Sequence, residues 1–398
     1  MKQKDTIFLS GIMLLFVIGA TIHATQGVML SSYIDGYSLQ AGAQGYPASI
    51  QEIGLIFSIF LSACLLRKYA KPKILLFMAA IMTFSLVGLG LKPAFWLLCT
   101  FYLCFGLSFG SLDGLASSLI SDLYPKKSSV MMSYMRAFYS AGGMLAPLVL
   151  NSMLKVGLVW NNAIMIVAIF CLFLLCFFVF VAYPRIPKPM NQSGIYDDVS
   201  LGALLSFIRK PGAYIIILIG FFFASHQIGL TVWIVRYLTV YKNISGIGAY
   251  ILSAYWIGAL ISRVLLPKLV TSPKTVLVWG TLISGILLTI ELIVSNALLS
   301  GILMMLVGVS EGLVVPMVVD CACEIDRSNS ALSCSTLIFV NNIGGMVAPP
   351  IIGMLIANVS PQIGISFLPL TLFACSGLSV MLFRKQRSDS CQETLESA

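Results

Sequence analysis

Charge is what this chain lacks. Asp, Glu, Lys and Arg make up 10% of its 398 residues and it holds two histidines, against 59% hydrophobic residues. A soluble domain carries about 25% charged residues, so a water-covered surface on that scale is excluded and the chain reads as an all-α integral membrane protein. Signatures of catalysis are missing too: the sequence has no HExxH, phosphate-binding loop, dinucleotide fingerprint or nucleophile elbow. An enzyme, an ATP-driven pump and a bound cofactor are therefore not expected. The ten cysteines fall mostly one at a time inside apolar runs, where a thiol behaves as a small hydrophobe. Cys321 and Cys323 stand two apart near a helix end, but two thiolates fall short of a four-ligand zinc site, and no metal is expected.

Long apolar runs are what the chain does have. A membrane-crossing helix needs ~20 mostly apolar residues, and twelve such runs are present, over 7–33, 48–66, 74–91, 94–120, 129–154, 160–183, 212–238, 246–266, 275–295, 298–321, 331–357 and 362–383. The first run is too long for a signal-peptide core and is expected to be a retained span. Of the 24 Lys and Arg, only Lys92, Lys155, Arg236 and Lys242 fall on the face opposite the termini, while Arg136 and Arg263 lie inside spans. The rest sit on the termini side, which the positive-inside rule places in the cytoplasm. The net charge of +9 is thus a topology signal and no nucleic-acid footprint. Localisation in the cell membrane, contact with lipid and a monomeric state are expected.

The chain is also duplicated. Gly106, Ser108 and Gly110 return 202 positions later as Gly308, Ser310 and Gly312, and Gly142-Gly143-Met144-Leu145-Ala146-Pro147 returns as Gly344-Gly345-Met346-Val347-Ala348-Pro349. Register held through an intervening charged loop marks a true internal repeat. Residues 184–211, rich in Pro and acid at Pro184, Pro187, Pro189, Asp197 and Asp198, read as a linker between an N-terminal six-helix bundle (1–183) and a C-terminal one (212–398). Same-sense halves in a membrane are an arrangement of secondary transporters, with the solute site where the halves meet. Gly142, Gly143, Pro147, Gly344, Gly345 and Pro349, with Pro350, let helices approach closely and bend. They are expected to be moving contacts between the bundles.

Twelve spans in two parallel halves, a central linker and the basic loop Leu66-Arg67-Lys68-Tyr69-Ala70-Lys71-Pro72-Lys73 resemble the major facilitator superfamily. Gly106-Leu107-Ser108-Phe109-Gly110-Ser111-Leu112-Asp113 with Ser117, and Gly258 with Arg263 before Leu266-Pro267, are similar to the fucose permease group of sugar:proton symporters. That resemblance implies alternating access, a small-molecule solute and proton coupling. The group's first-span acid is absent: the neighbourhood reads Ala24-Thr25-Gln26-Gly27-Val28. The seventh span, where related sugar transporters often carry an acid, has Ser225-His226-Gln227. Gln26 and Gln227 occupy corresponding places in the two halves, amide groups suited to hydroxyl recognition.

Ionisable groups in apolar helices are costly and are functional candidates by default. Asp113 and Arg136 each lie nine residues from a charged loop residue, Asp122 and Lys127, so at 1.5 Å per residue both reach ~14 Å into the membrane and can meet. Two readings stand: a static brace between spans 4 and 5, or a pair that opens when Asp113 takes a proton. Glu311, ~20 Å along its helix from Glu324, lies at a depth similar to that of Asn341 and Asn342, either of which could bond it. Gln26, His226, Gln227, Asn341, Asn342, Tyr255 and Trp256 form the expected solute site, the two aromatics being able either to stack on a sugar ring or to pack. His23 reads as a lone helix histidine, neutral or titrating. Glu52, Arg236 and Glu291, near helix ends, are expected to snorkel to water. The favoured function is secondary transport of a small polar solute, a sugar first; export of a drug-like organic solute and a transport-inactive nutrient sensor are the alternatives.

Overall fold

The computed structural model describes residues 3–40, 43–123, 128–182, 201–244, 246–265, 272–326 and 330–396. Among them every regular element is helical: α1 Gln3–Tyr37, α2 Tyr46–Leu66, α3 Lys71–Gly90, α4 Phe95–Leu123, α5 Ser128–Lys155, α6 Trp160–Phe177, α7 Leu201–Ile208, α8 Ala213–Arg236, α9 Gly248–Leu265, α10 Thr281–Ile293, α11 Ala297–Glu311, α12 Val314–Ile325, α13 Ser330–Asn358 and α14 Pro361–Glu396. Wide π turns extend α6 and α8 and precede α10. Eleven helical stretches are long and apolar enough to cross a membrane, and α1, bent by 46° between Leu9–Ala24 and Gln26–Tyr37, makes a twelfth. With no water in the bilayer core, such segments satisfy their own backbone groups only as helices.

The fold is two parallel, pseudo-symmetric six-helix bundles. The pairs α1 with α5, α2 with α4 and α3 with α6 in the first half return as α8 with α13, α9 with α11 and α10 with α14 in the second. Close approach rests on glycine: a Cβ on Gly106 would stand 2.0 Å from the Gln51 carbonyl, and one on its counterpart Gly308 would stand 2.0 Å from the Tyr255 carbonyl. The tenth span is broken into α11 and α12. Pro316 has no N–H to offer the Gly312 carbonyl four residues back, and Arg263 Nε takes that oxygen at 3.3 Å.

The expected linker corresponds in part to α7. Leu204 and Phe207 of that short apolar stretch are buried. Pro184, Pro187, Pro189, Asp197 and Asp198 lie outside the described residues, as do Lys126, Lys127, Leu266 and Pro267.

The bundles meet along α1 with α8, α2 with α13 and α5 with α9. On the side away from the termini they interlock by backbone. A Cβ on Gly27 would fall 2.1 Å from the Thr231 carbonyl, and one on Gly45 2.6 Å from the Pro349 carbonyl carbon. Arg236 Nη1 donates to Ser31 Oγ at 3.1 Å, and Lys155 Nζ stands 5.1 Å from the centre of the Tyr250 ring. Toward the termini the bundles still touch, Phe60 of α2 meeting Phe339 of α13 with ring centroids 5.9 Å apart, and the loops 124–127, 266–271 and 327–329 lie outside the described residues. On α5, Ser140 is buried and reached by Arg263 of α9, while Arg136, one turn nearer the termini on the same face, has 48% of its side chain exposed.

Candidate functional site

In the second bundle, three helices converge on Glu311, the last residue of α11. Its Oε1 lies 2.9 Å from His226 Nε2 of α8, and its Oε2 accepts from the Tyr255 hydroxyl of α9 at 3.0 Å. The Gln227 amide nitrogen faces the same hydroxyl at 3.5 Å. Glu311 and His226 are both buried. Their contact lies off the hydrogen-bonding direction, leaving Glu311 Oε1 and both His226 ring nitrogens without an aligned partner. Buried polar atoms in a native fold are nearly always satisfied, so this cluster holds bonding capacity in reserve.

The first bundle contains a related cluster that sequence reasoning missed. His23 of α1 places Nδ1 2.6 Å from the Tyr139 hydroxyl of α5 and Nε2 3.3 Å from Glu52 Oε1 of α2. Beside them Gln26 donates to Gln51 Oε1 at 2.5 Å. Each half thus combines a histidine on its first helix, a glutamate and a tyrosine. The two clusters are joined by rings: Tyr139 meets Trp256 with centroids 6.1 Å apart, and Trp256 meets Tyr255 at 5.4 Å, both edge to face. Phe109, the repeat counterpart of Glu311, stacks on Tyr139 at 6.1 Å.

Not every residue proposed from sequence joins this layer. Asp113 and Arg136 pair at 3.0 Å on the termini side of the layer, with 26% and 48% of their side chains exposed. Depth counted along the helix does not reveal that exposure. Asn341, turned so that its amide nitrogen faces α8, donates to the Gly220 and Leu337 carbonyls at 3.2 and 3.1 Å, and Asn342 is half-buried. The partners of Glu311 are His226 and Tyr255, not an asparagine. Gly142 packs on Val17 of α1, and Gly344 on Phe221 of α8, within their own bundles. Gly143 and Gly345 lie at the bundle contact, Gly143 against Trp256 and Gly345 against Glu52. Pro147 and Pro349 stand inside α5 and α13, and the Pro349 carbonyl accepts from Trp233 Nε1 at 2.9 Å.

Three expectations of snorkelling are overturned. Glu52 is 3% exposed, paired with His23; Glu291 is fully buried, accepting from Ser300 Oγ at 2.8 Å and 3.4 Å from Lys242 Nζ; Arg236 reaches across to Ser31. Glu52 and Glu291 are covered by neighbouring elements and Arg236 is half-buried, which distance from a helix end does not reveal. Lys242, in the loop after α8, also donates to the Glu291 and Val294 carbonyls, and burial pushes its ammonium below the ordinary lysine range. Cys323 approaches Cys334 of α13, Sγ to Sγ 3.3 Å, rather than Cys321.

Two bundles of membrane-length apolar helices around a buried polar layer define a polytopic membrane protein. The sequence profile of the Major Facilitator Superfamily matches residues 9–349, and the chain belongs to that family of transporters. An uncharacterised transporter of the same superfamily type from Bacillus subtilis (strain 168), YfkL, is 24% identical over 217 residues, 54% of each chain. The chain therefore spans about half the length of the curated relative it matches. Among solved structures, the human organic anion transporter MFSD10 (TETRAN) superposes with a TM-score of 0.70 at 13% identity, over 95% of this chain and all of that one. A bacterial homologue of the human lysosomal transporter Spinster, inward-facing and occupied, gives 0.70 at 15% identity over 96% of both chains. The E. coli fucose:proton symporter FucP gives 0.62 at 16% identity, over 94% of this chain and 98% of that one.

Proposed function

We propose that the chain is a secondary active transporter that moves a small polar solute, a sugar or similar polyhydroxy compound, by alternating access with protons as the coupling ion. The observation that carries this reading is the buried Glu311 carboxylate, held by a histidine and a tyrosine and facing no Lys or Arg within ion-pairing distance among the described residues. A carboxyl so placed can exchange a proton in concert with a solute hydroxyl competing for Tyr255, Gln227 or His226. Gln26 and Gln51 supply further amides, and Trp256 an apolar face. Asp113 with Arg136 serves as a charge pair on the termini side. The Lys and Arg distribution supports both termini in the cytoplasm of a cell-membrane protein, and the internal repeat supports a division at 1–183 and 212–398 across a linker within 184–211.

The test uses purified protein in lipid vesicles with an imposed pH gradient and a panel of radiolabelled monosaccharides. Accumulation of at least one sugar, abolished by Glu311→Gln and by a protonophore, is expected; gradient-independent behaviour of every sugar would remove the reading.

A second reading has its own observation. Arg263 is held by neutral partners, the Ser140 hydroxyl and the Gly312 carbonyl, with no carboxylate paired to it among the described residues. Such a guanidinium suits an organic anion, moved inward or exported. Gradient-driven movement of a labelled aromatic carboxylate, with none of the sugars, would favour it. Binding without accumulation of either class would favour a sensor.

A further inference from the structure

Helices α9 and α11 touch at one level and leave a gap at another. A Cβ on Gly258 would stand 2.0 Å from the Met305 carbonyl, and one on Gly308 2.0 Å from the Tyr255 carbonyl, so the two backbones are in contact there. Nearer the side away from the termini, a Cβ on Gly301 would meet nothing within 4 Å. The unfilled wedge is a groove of about 540 Å³ whose lining includes Tyr250, Ala254, Leu298, Gly301, Ile302 and Met305. Their three- and four-residue spacing puts them on one face of each helix. Tyr250, Leu298 and Ile302 are exposed, and both helices belong to membrane spans, so the groove opens sideways into the hydrocarbon region. At its rim, Lys155 of α5 holds Nζ 5.1 Å from the centre of the Tyr250 ring. That ammonium has no carboxylate within ion-pairing distance among the described residues, whereas Lys242 on the same side is taken by Glu291 and Arg236 by Ser31.

We propose that the groove and Lys155 form a seat for one anionic phospholipid of the leaflet away from the termini, with an acyl chain in the wedge and the phosphate on the Lys155 ammonium. This goes beyond the transport reading and does not depend on it. Two effects act there, and they differ in what they select. A chain that leaves bulk lipid for the groove gains no hydrophobic energy, because lipid tails are as apolar as the side chains lining it. It gains dispersion, since an empty wedge forfeits contacts that a filled one makes. That gain holds any acyl chain and does not choose between lipids. Lys155 supplies the choice: an ammonium binds phosphate as a point charge, and a zwitterionic headgroup brings a cation of its own that opposes the attraction. Lys155 belongs to the first bundle and the groove to the second, so a lipid seated there spans the boundary between them.

The test needs no solute. The full chain is placed in phosphatidylcholine nanodiscs doped with a phosphatidylglycerol that carries a diazirine on one acyl chain, and crosslinked peptides are located by mass spectrometry. A phosphatidylcholine with the same photoreactive chain is the comparison. Crosslinks within Gly248–Leu265 and Ala297–Glu311 should form about fivefold more from phosphatidylglycerol, the preference one basic residue gives near an anionic lipid surface. They should also exceed those on α6, whose Phe170 and Phe173 are exposed but have no such cation beside them among the described residues. Lys155→Gln, at an exposed position, should bring the two lipids level while crosslinks stay in the groove, and Lys155→Arg should keep the preference. Gly301→Leu, which finds open space for its side chain and raises helix propensity, should remove groove crosslinks from both lipids. Equal labelling by the two lipids in the unaltered protein, a preference that survives Lys155→Gln, or groove crosslinks unchanged by Gly301→Leu would overturn the proposal. Even labelling of all lipid-facing helices would do the same, because that is the pattern of ordinary boundary lipid.

Discussion

The Tyr139 ring meets the edge of the Trp256 indole at 6.1 Å and 70°, and this contact joins the polar cluster of one bundle to that of the other. Tyr139 holds His23 through its hydroxyl, and Trp256 leans on Tyr255, which holds Glu311. A change of hydrogen bonding in either cluster therefore reaches the interface through one ring. Trp256→Leu should fold, since the site stays apolar, but should weaken the dependence of solute affinity on mutations at His23. A double-mutant cycle with His23→Gln, read as ligand binding, should show a coupling of about 0.5–3 kcal/mol, and a value near zero would mean that Trp256 does not link the clusters.

Closure of the outer face depends on Gly27. Its missing side chain lets α1 lie against the Thr231 carbonyl, and backbone cannot move aside as a flexible side chain can. Gly27→Val should hold the outer contact open, so that labelling of Ser31→Cys by a membrane-impermeant maleimide rises several-fold. Labelling equal to that of the parent would mean that the helices close by another route.

Gln227 carries the amide nearest Tyr255 that remains half-buried and able to meet a solute. Gln227→Ala should leave the melting temperature within a few degrees of wild type and weaken solute binding by ~1–3 kcal/mol, the penalty of one lost buried hydrogen bond. Isothermal titration with whichever sugar is accumulated provides the check, and unchanged affinity would place recognition elsewhere.

Asp113 and Arg136 are a half-exposed pair, and such pairs contribute ~0–1 kcal/mol. Asp113→Asn combined with Arg136→Gln should fold normally and keep gradient-driven uptake within about twofold of wild type. A well-folded double variant that no longer accumulates solute would assign proton coupling to Asp113.

Lys242 and Glu291 behave differently because they are enclosed, at 8% and 0% side-chain exposure. Lys242→Met leaves the buried carboxylate without its cation and should destabilise the fold by about 3–5 kcal/mol. The double variant with Glu291→Gln should recover a large part of that loss in thermal unfolding.

The spans and their pairing were legible because hydrophobic length and an internal repeat are properties of the chain itself. Predicted and observed helix limits agree closely: 48–66 became Tyr46–Leu66, and 129–154 became Ser128–Lys155. The exception within the linker, α7, was hidden by the prolines and acids that precede it. The site was legible where a charged residue stood deep in an apolar run, as Glu311 does. Glu52 and Glu291 were misread for a common reason: depth along a helix can be counted, but the helix that covers its end cannot. His23 and Glu52 are 29 positions apart and carry no shared motif. Their meeting depends on how α1 and α2 pack against α5 and α13, which is a property of the assembled bundles.

The backbone seal around Gly27 and Gly45 also has an electrical meaning. Where water reaches the half-exposed Arg136 from the termini side, a membrane voltage falls chiefly across the packed layer between that residue and the seal. Glu52, His23 and Glu311 lie in this layer. A unit charge displaced across a whole membrane changes its energy by ~2.3 kcal/mol per 100 mV, and here most of that drop is compressed into a few helical turns. A proton stepping between these side chains would therefore do nearly the full electrical work of crossing the bilayer while moving only a fraction of its thickness.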